Sequence, residues 1–174
     1  CGEDATQPHN QGGGPLRGGE TIVMDVFPQD LASGYWGDLT RTVVRGRAPA
    51  ALRRLFRAVH AAQKTALSAI RPGVKGATVH RRVQEEFARR GFETGYENAT
   101  PVGFIHSTGH GVGLEVHEAP RVGPGDERLR RGQLVTVEPG LYYPGLGGCR
   151  IEDTVVVTSD GCRKLAACPT RLEV

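Results

Sequence analysis

Apolar residues recur at helical spacing between positions 49 and 70, where Leu52, Leu55, Phe56, Val59, Ala62, Ala66 and Ile70 fall on one face. Pro49 near the start and Pro72-Gly73 beyond the end bound a predicted helix over 49–70, and its apolar face should pack on a sheet. A shorter pattern through Val79, Val83 and Phe87 predicts a second helix, from an N-cap at Thr78 to Gly91, a residue suited to the left-handed closing position. Elsewhere the pattern is strand-like. Residues 21–27 read as one strand, a turn-rich insertion follows over 28–34, and 35–44 read as the hairpin partner. The other main strand runs are 109–116, 133–138 and 150–158, so the class expected is α+β.

Composition narrows the picture. At 174 residues, with 38% hydrophobic and 24% charged, the chain suits one domain with a substantial core and excludes a disordered chain. No apolar run approaches the roughly 20 residues of a membrane-spanning helix, and the start lacks a basic segment followed by an apolar signal region. A cytoplasmic setting with no membrane partner is expected. The net charge of +3 is small, and Arg53-Arg54-Arg57, Arg81-Arg82, Arg89-Arg90 and Arg128-Arg130-Arg131 are spread over helical faces or loops. They read as solvated surface, so no nucleic-acid partner is expected. Cys1, Cys149, Cys162 and Cys168 lack C-x-x-C spacing and read as free thiols, with Cys149 in core packing. Gly12-Gly13-Gly14 lacks the Lys and Ser/Thr of a phosphate loop. His60 and His80, on the predicted helices, read as surface or packing residues.

The candidate chemistry lies in Asp25, Asp38, His110, Glu138 and Glu152. Asp25 follows the apolar run Thr21-Ile22-Val23-Met24, and Asp38 opens Asp38-Leu39-Thr40-Arg41-Thr42 13 positions later. The two aspartates should face each other across the hairpin and share one pocket. Taken singly, each residue has a blander reading: the aspartates as turn or capping groups, and Glu138-Pro139-Gly140 as a strand end. Taken together they form a ligand set. Charged residues bracketed by Val135, Val137 and Leu141, or by Ile151 and Val155, need a partner if buried, and a metal serves all of them. Four carboxylates balance the charge of two divalent ions, and one imidazole leaves coordination room for water. Hard oxygen donors with one histidine suit Mn²⁺, Co²⁺, Fe²⁺ or Zn²⁺; manganese is the expected pair, with the other three open.

These residues carry a resemblance. The phrases Val23-Met24-Asp25, Gly34-Tyr35-Trp36-Gly37-Asp38-Leu39-Thr40-Arg41-Thr42, Gly109-His110-Gly111-Val112-Gly113-Leu114-Glu115-Val116-His117-Glu118, Val137-Glu138-Pro139-Gly140-Leu141-Tyr142 and Arg150-Ile151-Glu152-Asp153 are similar to those of the pita-bread metallopeptidases. That superfamily includes methionine aminopeptidase, aminopeptidase P, prolidase and creatinase. The resemblance implies a curved antiparallel sheet with helices on its outer face, and a single catalytic domain over 1–174. It also implies that the first half of the domain, and any domain preceding it, is partly missing. By the same resemblance Asp25 binds one metal, His110 and Glu138 bind the other, and Asp38 and Glu152 bridge them. A metal-bridging hydroxide attacks the scissile carbonyl, and Glu138 handles its proton. His117 stabilises the oxyanion or shuttles a proton, His106 lines the leaving-group side, and His9 is a further substrate-side histidine.

The phrases around Asp38 and Glu152 point to the proline-directed branch: hydrolysis of an Xaa-Pro bond in a peptide or dipeptide with proline in second position, by an aminopeptidase P or a prolidase. Arg150 alternates with Glu152 in strand register and should fix a ligand carboxylate or contact substrate. The alternatives are a non-catalytic binding protein on the same fold, an inactive partial domain, and a methionine aminopeptidase-like enzyme. A homo-oligomer is compatible with the sequence.

Overall fold

The apolar stripe of residues 49–70 forms helix α1, Ala50–Ala69, in a computed structural model that describes residues 1–174. Pro49 caps it and Ile70 ends it in extended conformation. Helix α2 spans Gly76–Arg89, with Lys75 as its N-cap, three positions before the expected cap at Thr78, and no side-chain cap. Glycine permits the early start: a Cβ on Gly76 would collide with the Arg121 carbonyl, so the helix begins in close contact with a neighbouring strand. At the other end Gly91 has φ +74°, Gly91 N–H donates to Ala88 O (2.9 Å) and Phe92 N–H to Phe87 O (3.0 Å), the paired bonds of a Schellman close.

The strands are shorter and more numerous than hydrophobic pattern alone suggests. They are β1 Thr21–Val26, β2 Leu39–Val44, β3 Gly95–Glu97, β4 Thr100–Val102, β5 Gly109–Gly111, β6 Glu118–Val122, β7 Leu134–Val137, β8 Gly140–Tyr143, β9 Gly147–Arg150, β10 Asp153–Val157 and β11 Cys162–Lys164. Five form one antiparallel sheet in the order β11-β10-β7-β5-β6, while β1-β2, β3-β4 and β8-β9 are separate pairs. The run over 109–116 stays extended only to Gly111. Gly109 and Gly111 have no room for a Cβ, since Thr136 O and Ala119 O lie against them, and the β5–β6 register shifts between them.

Val135 and Val137 of β7 bury one face in a core shared with Leu55, Val59, Ala62 and Ala66 of α1 and with Leu141 and Ile151. Thr136 therefore points to the opposite face. The expected strand over 150–158 is broken at Ile151-Glu152, just as the chain is broken at Glu138-Pro139 between β7 and β8. Val137 pairs with Asp153 on one side of the breaks and Gly140 with Arg150 on the other, so the register is the same throughout. In an unbroken hairpin Glu138 and Glu152 would occupy directly opposed positions. Pro139, without an N–H, helps end the ladder there.

Candidate metal centre

Strand β1 sets Asp25 opposite Thr40 rather than opposite Asp38. Asp38 lies just before β2, two positions from Thr40, so the two aspartates share a face as a diagonal pair. The hairpin tip keeps the same register at an isolated Gln29–Trp36 bridge, but the strand expected over 35–44 is continuous only from Leu39. Strand β5 carries His110, and the broken hairpin supplies Glu138 and Glu152.

Asp38, His110 and Glu152 form the compact centre, with one ligand atom from each within 4.8 Å of the others. Glu138 joins through His110, whose Nε2 lies 3.3 Å from Glu138 Oε1 and 3.8 Å from Asp38 Oδ2. His110 Nδ1 lies 3.1 Å from the Gly111 carbonyl, which can only accept. Nδ1 therefore carries a proton, and Nε2 is the atom aimed at the carboxylates. Asp25 stands at the margin: Arg150 Nη2 donates to its Oδ2 (2.7 Å), and the Thr40 hydroxyl lies 3.0 Å from Oδ1. The same hydroxyl lies 2.6 Å from Glu152 Oε2. One hydroxyl proton cannot serve both carboxylates.

The electrostatics follow from crowding. Burial and the Asp25 charge push Asp38 up to about 6. Burial, with the Glu138 and Asp38 charges, raises Glu152 well above the usual carboxylate range. Burial also works to raise Glu138, but contact with His110 and the neighbouring cationic groups outweigh it and leave it lowered. For His110 the Glu138 hydrogen bond and charge outweigh burial, so it is raised. Like-charged carboxylates at opposed strand positions destabilise the fold, and buried ones more so. A divalent cation reverses the sign of that interaction, and four carboxylates with one imidazole are donors that it accepts. The residues fit a divalent cation.

Arg150, expected to reach a ligand carboxylate or substrate, is buried and its donors are taken by the protein. Besides Asp25, it reaches Thr40 Oγ1 (Nε, 3.2 Å), Tyr142 OH (Nη1, 2.9 Å) and the Pro8 carbonyl (Nη1, 3.2 Å). These contacts orient the Asp25 carboxylate, and Arg150 also lines the cavity. Tyr142, which the sequence reading passed over as a site residue, donates in turn to His106 Nε2 (2.9 Å), while His106 Nδ1 lies 2.8 Å from the Ser107 carbonyl. Both nitrogens of His106 are thus engaged, and burial lowers it to a neutral ring. Its geometry suits a wall of the cavity rather than proton transfer. A hydroxyl at alternation distance from Glu138-Pro139-Gly140 was the available signal for Tyr142, visible only once the β8–β9 register is known.

His117 packs edge-on against His110, ring centroids 4.2 Å apart, and its own nitrogens make no hydrogen bond. It lines, with His9, His106 and the ligand residues, a cavity of about 1430 Å³. His9 is exposed on the loop anchored by Arg150 at Pro8. Arg121, a second residue that the sequence reading did not single out, is exposed at the cavity wall and belongs to no ion pair. Cys149 is fully buried, and burial pushes its thiol up to about 12, so it is a packing residue and not a nucleophile.

The model of metallopeptidase family M24 matches residues 1–159. The chain is 41% identical over 148 residues to the Xaa-Pro dipeptidase of Pyrococcus furiosus, covering 84% of this chain and 40% of that one. It is 38% identical over 160 residues to a probable dipeptidase, PepE, of Mycobacterium tuberculosis, covering 91% and 40%. Among solved structures, a dipeptidase from Pyrococcus horikoshii OT3 superposes with a TM-score of 0.88 at 38% identity, over 99% of this chain and 46% of that one. An X-Pro aminopeptidase from Thermotoga maritima gives 0.87 at 32% identity, over 98% and 46%. The chain spans about two fifths of the length of the curated relatives it matches.

Proposed function

The chain belongs to metallopeptidase family M24 and has the pita-bread fold, and from that premise we propose that its 174 residues form one catalytic domain hydrolysing Xaa-Pro bonds with two divalent metal ions. The observation that carries this reading is the opposition of the buried Glu152 to Glu138 at the hairpin break, with Asp38 and His110 aimed into the same space. Such a pocket is unfavourable without a cation. Asp25, Asp38, His110, Glu138 and Glu152 would be the ligands, and manganese suits the hard donor set, with cobalt, zinc and iron compatible. Bound there, the ions would polarise the scissile carbonyl and bring water ionisation toward neutral pH.

The chain's own groups supply the rest. Glu138 accepts the proton of the attacking water and returns it to the leaving proline nitrogen. His117, with free nitrogens beside His110, donates to the oxyanion. Replacing His117 with alanine is expected to leave metal content near that of the parent and to slow turnover by about 10²-fold or more. Metal analysis beside steady-state kinetics checks this, and loss of metal in the variant would contradict the division of roles.

The substrate class favoured is the Xaa-Pro dipeptide. Arg121 offers an unpaired guanidinium at the cavity wall, and a guanidinium holds a free carboxylate in bidentate fashion. The relatives described as Xaa-Pro dipeptidases agree. A dipeptide should be cleaved at least about tenfold faster than its C-terminal amide, which keeps the scissile bond and lacks the carboxylate. Equal rates would favour an aminopeptidase on longer peptides. No helix is long and apolar enough to cross a membrane, and the four free thiols suit a reducing compartment, so we place the protein in the cytoplasm.

A further inference from the structure

Asp38 and Glu152 stand on segments that no sheet ladder joins, since β2 belongs to a two-stranded sheet and β10 to the five-stranded one. Side chains make most of the join. Arg41, buried behind the pocket, uses all five of its guanidinium N–H donors. Nη1 donates to the carbonyls of Thr40 (2.9 Å) and Glu152 (2.5 Å), Nη2 to Asp153 Oδ1 (2.7 Å) and the Cys168 carbonyl (2.9 Å), and Nε to the Pro169 carbonyl (3.3 Å). Two further bonds close the same seam: Glu152 N–H to the Thr40 carbonyl (3.0 Å) and the Thr154 hydroxyl to the Asp38 carbonyl (2.8 Å). Asp153 is anchored from behind by Lys164 Nζ (2.5 Å) and Gln63 Nε2 (2.8 Å).

The two carboxylates on this seam repel one another, and a ligand pair has to be held to about 0.5 Å to serve a metal. A planar guanidinium with every donor engaged is stiffer than a flexible ammonium, and it grips the backbone on both sides of the seam at once. We infer that Arg41 is a positioning residue that sets the spacing of the Asp38 and Glu152 carboxylates and ties it to the C-terminal segment at Cys168-Pro169. The inference rests on reading the pocket as the metal centre. Arg41 touches neither substrate nor metal in this role; it acts through the backbone of the residues that do.

The test is Arg41→Lys, which keeps a cation beside Asp153 and cannot reproduce the five-donor fork. Manganese titration by calorimetry and electron paramagnetic resonance of the loaded protein are compared with the parent, with circular dichroism to establish folding. Manganese affinity should fall about 10- to 100-fold, the share of spin-coupled manganese pairs should drop, and hydrolysis should recover as manganese is raised. Parent-like affinity and coupling in a folded variant overturn the inference. A merely less stable fold would lower the thermal midpoint and leave the coupled fraction unchanged, which also overturns it. If Arg41→Lys does not fold, Asp153→Asn loosens Arg41 at constant volume, and unchanged manganese affinity there overturns the inference as well. Failure of the parent itself to bind manganese would instead sink the metal centre, a separate result.

Discussion

Replacing Glu152 with glutamine is expected to abolish binding of the metal pair and to lower Xaa-Pro hydrolysis by more than the ~10²–10³-fold that loss of one transition-state hydrogen bond costs. The same substitution should make the metal-free protein more stable. Both effects have one origin. Glu152 faces Glu138 across the broken hairpin and sits within reach of Asp38, and its carboxyl is raised by burial and by those charges. A carboxyl raised on folding is a proton that the native state keeps after the unfolded chain has released it. The contribution of Glu152 and Asp38 to metal-free stability is therefore greatest in acid, and it is lost as pH rises from the ordinary carboxylate range near 4 through about 6, to which Asp38 is pushed, while Glu138, held low, contributes in the opposite sense. Saturating divalent metal should remove that slope, and Glu152→Gln should flatten it without metal. Thermal midpoints between pH 4 and 8, with and without manganese, measure both. A metal-free parent whose stability falls no more steeply across that window than that of Glu152→Gln would contradict the repulsive pocket.

The second large effect lies behind the site. Asp153→Ala should destabilise the fold by about 3–5 kcal/mol, because it strands a buried guanidinium. Asp153 is 1% exposed and receives Arg41, Lys164 and Gln63. Lys164 is part-exposed and can turn to water, and Gln63 keeps the Ile151 carbonyl at 3.3 Å. Arg41 has no such escape. Urea unfolding gives the figure, and a change under about 0.5 kcal/mol, the size of an ordinary surface substitution, would show that Asp153 carries no structural charge.

Much of this was visible in the chain. The stripe from Leu52 to Ile70 located α1 to within a residue at each end, since packing and intrinsic propensity agree there. The five carboxylate and imidazole positions could be named from local wording alone, and the structure brings Asp38, His110, Glu138 and Glu152 together. Strand lengths were not legible. Apolar alternation runs straight through Ile151-Glu152, and only the pairing of Val137 with Asp153 and Gly140 with Arg150 reveals a break. The start of α2 was missed because Gly76 is a poor helix former, and its value is the close approach to Arg121. Tyr142, Arg41 and Asp153 were missed as site residues for a related reason: they act through partners up to 128 residues away in sequence, and no local period records such contacts.

The central claim is metal-dependent cleavage of the Xaa-Pro bond. The most direct measurement strips the protein of metal, refills it with Mn²⁺, Co²⁺ or Zn²⁺, and follows hydrolysis of Xaa-Pro peptides beside matched Xaa-Ala and Met-Ala controls. Two metal ions per chain are expected, with cleavage confined to the Xaa-Pro bonds that disappears on stripping and returns on refilling. Two bound ions with no cleavage of any Xaa-Pro peptide, or equal cleavage of the Met-Ala control, would contradict it.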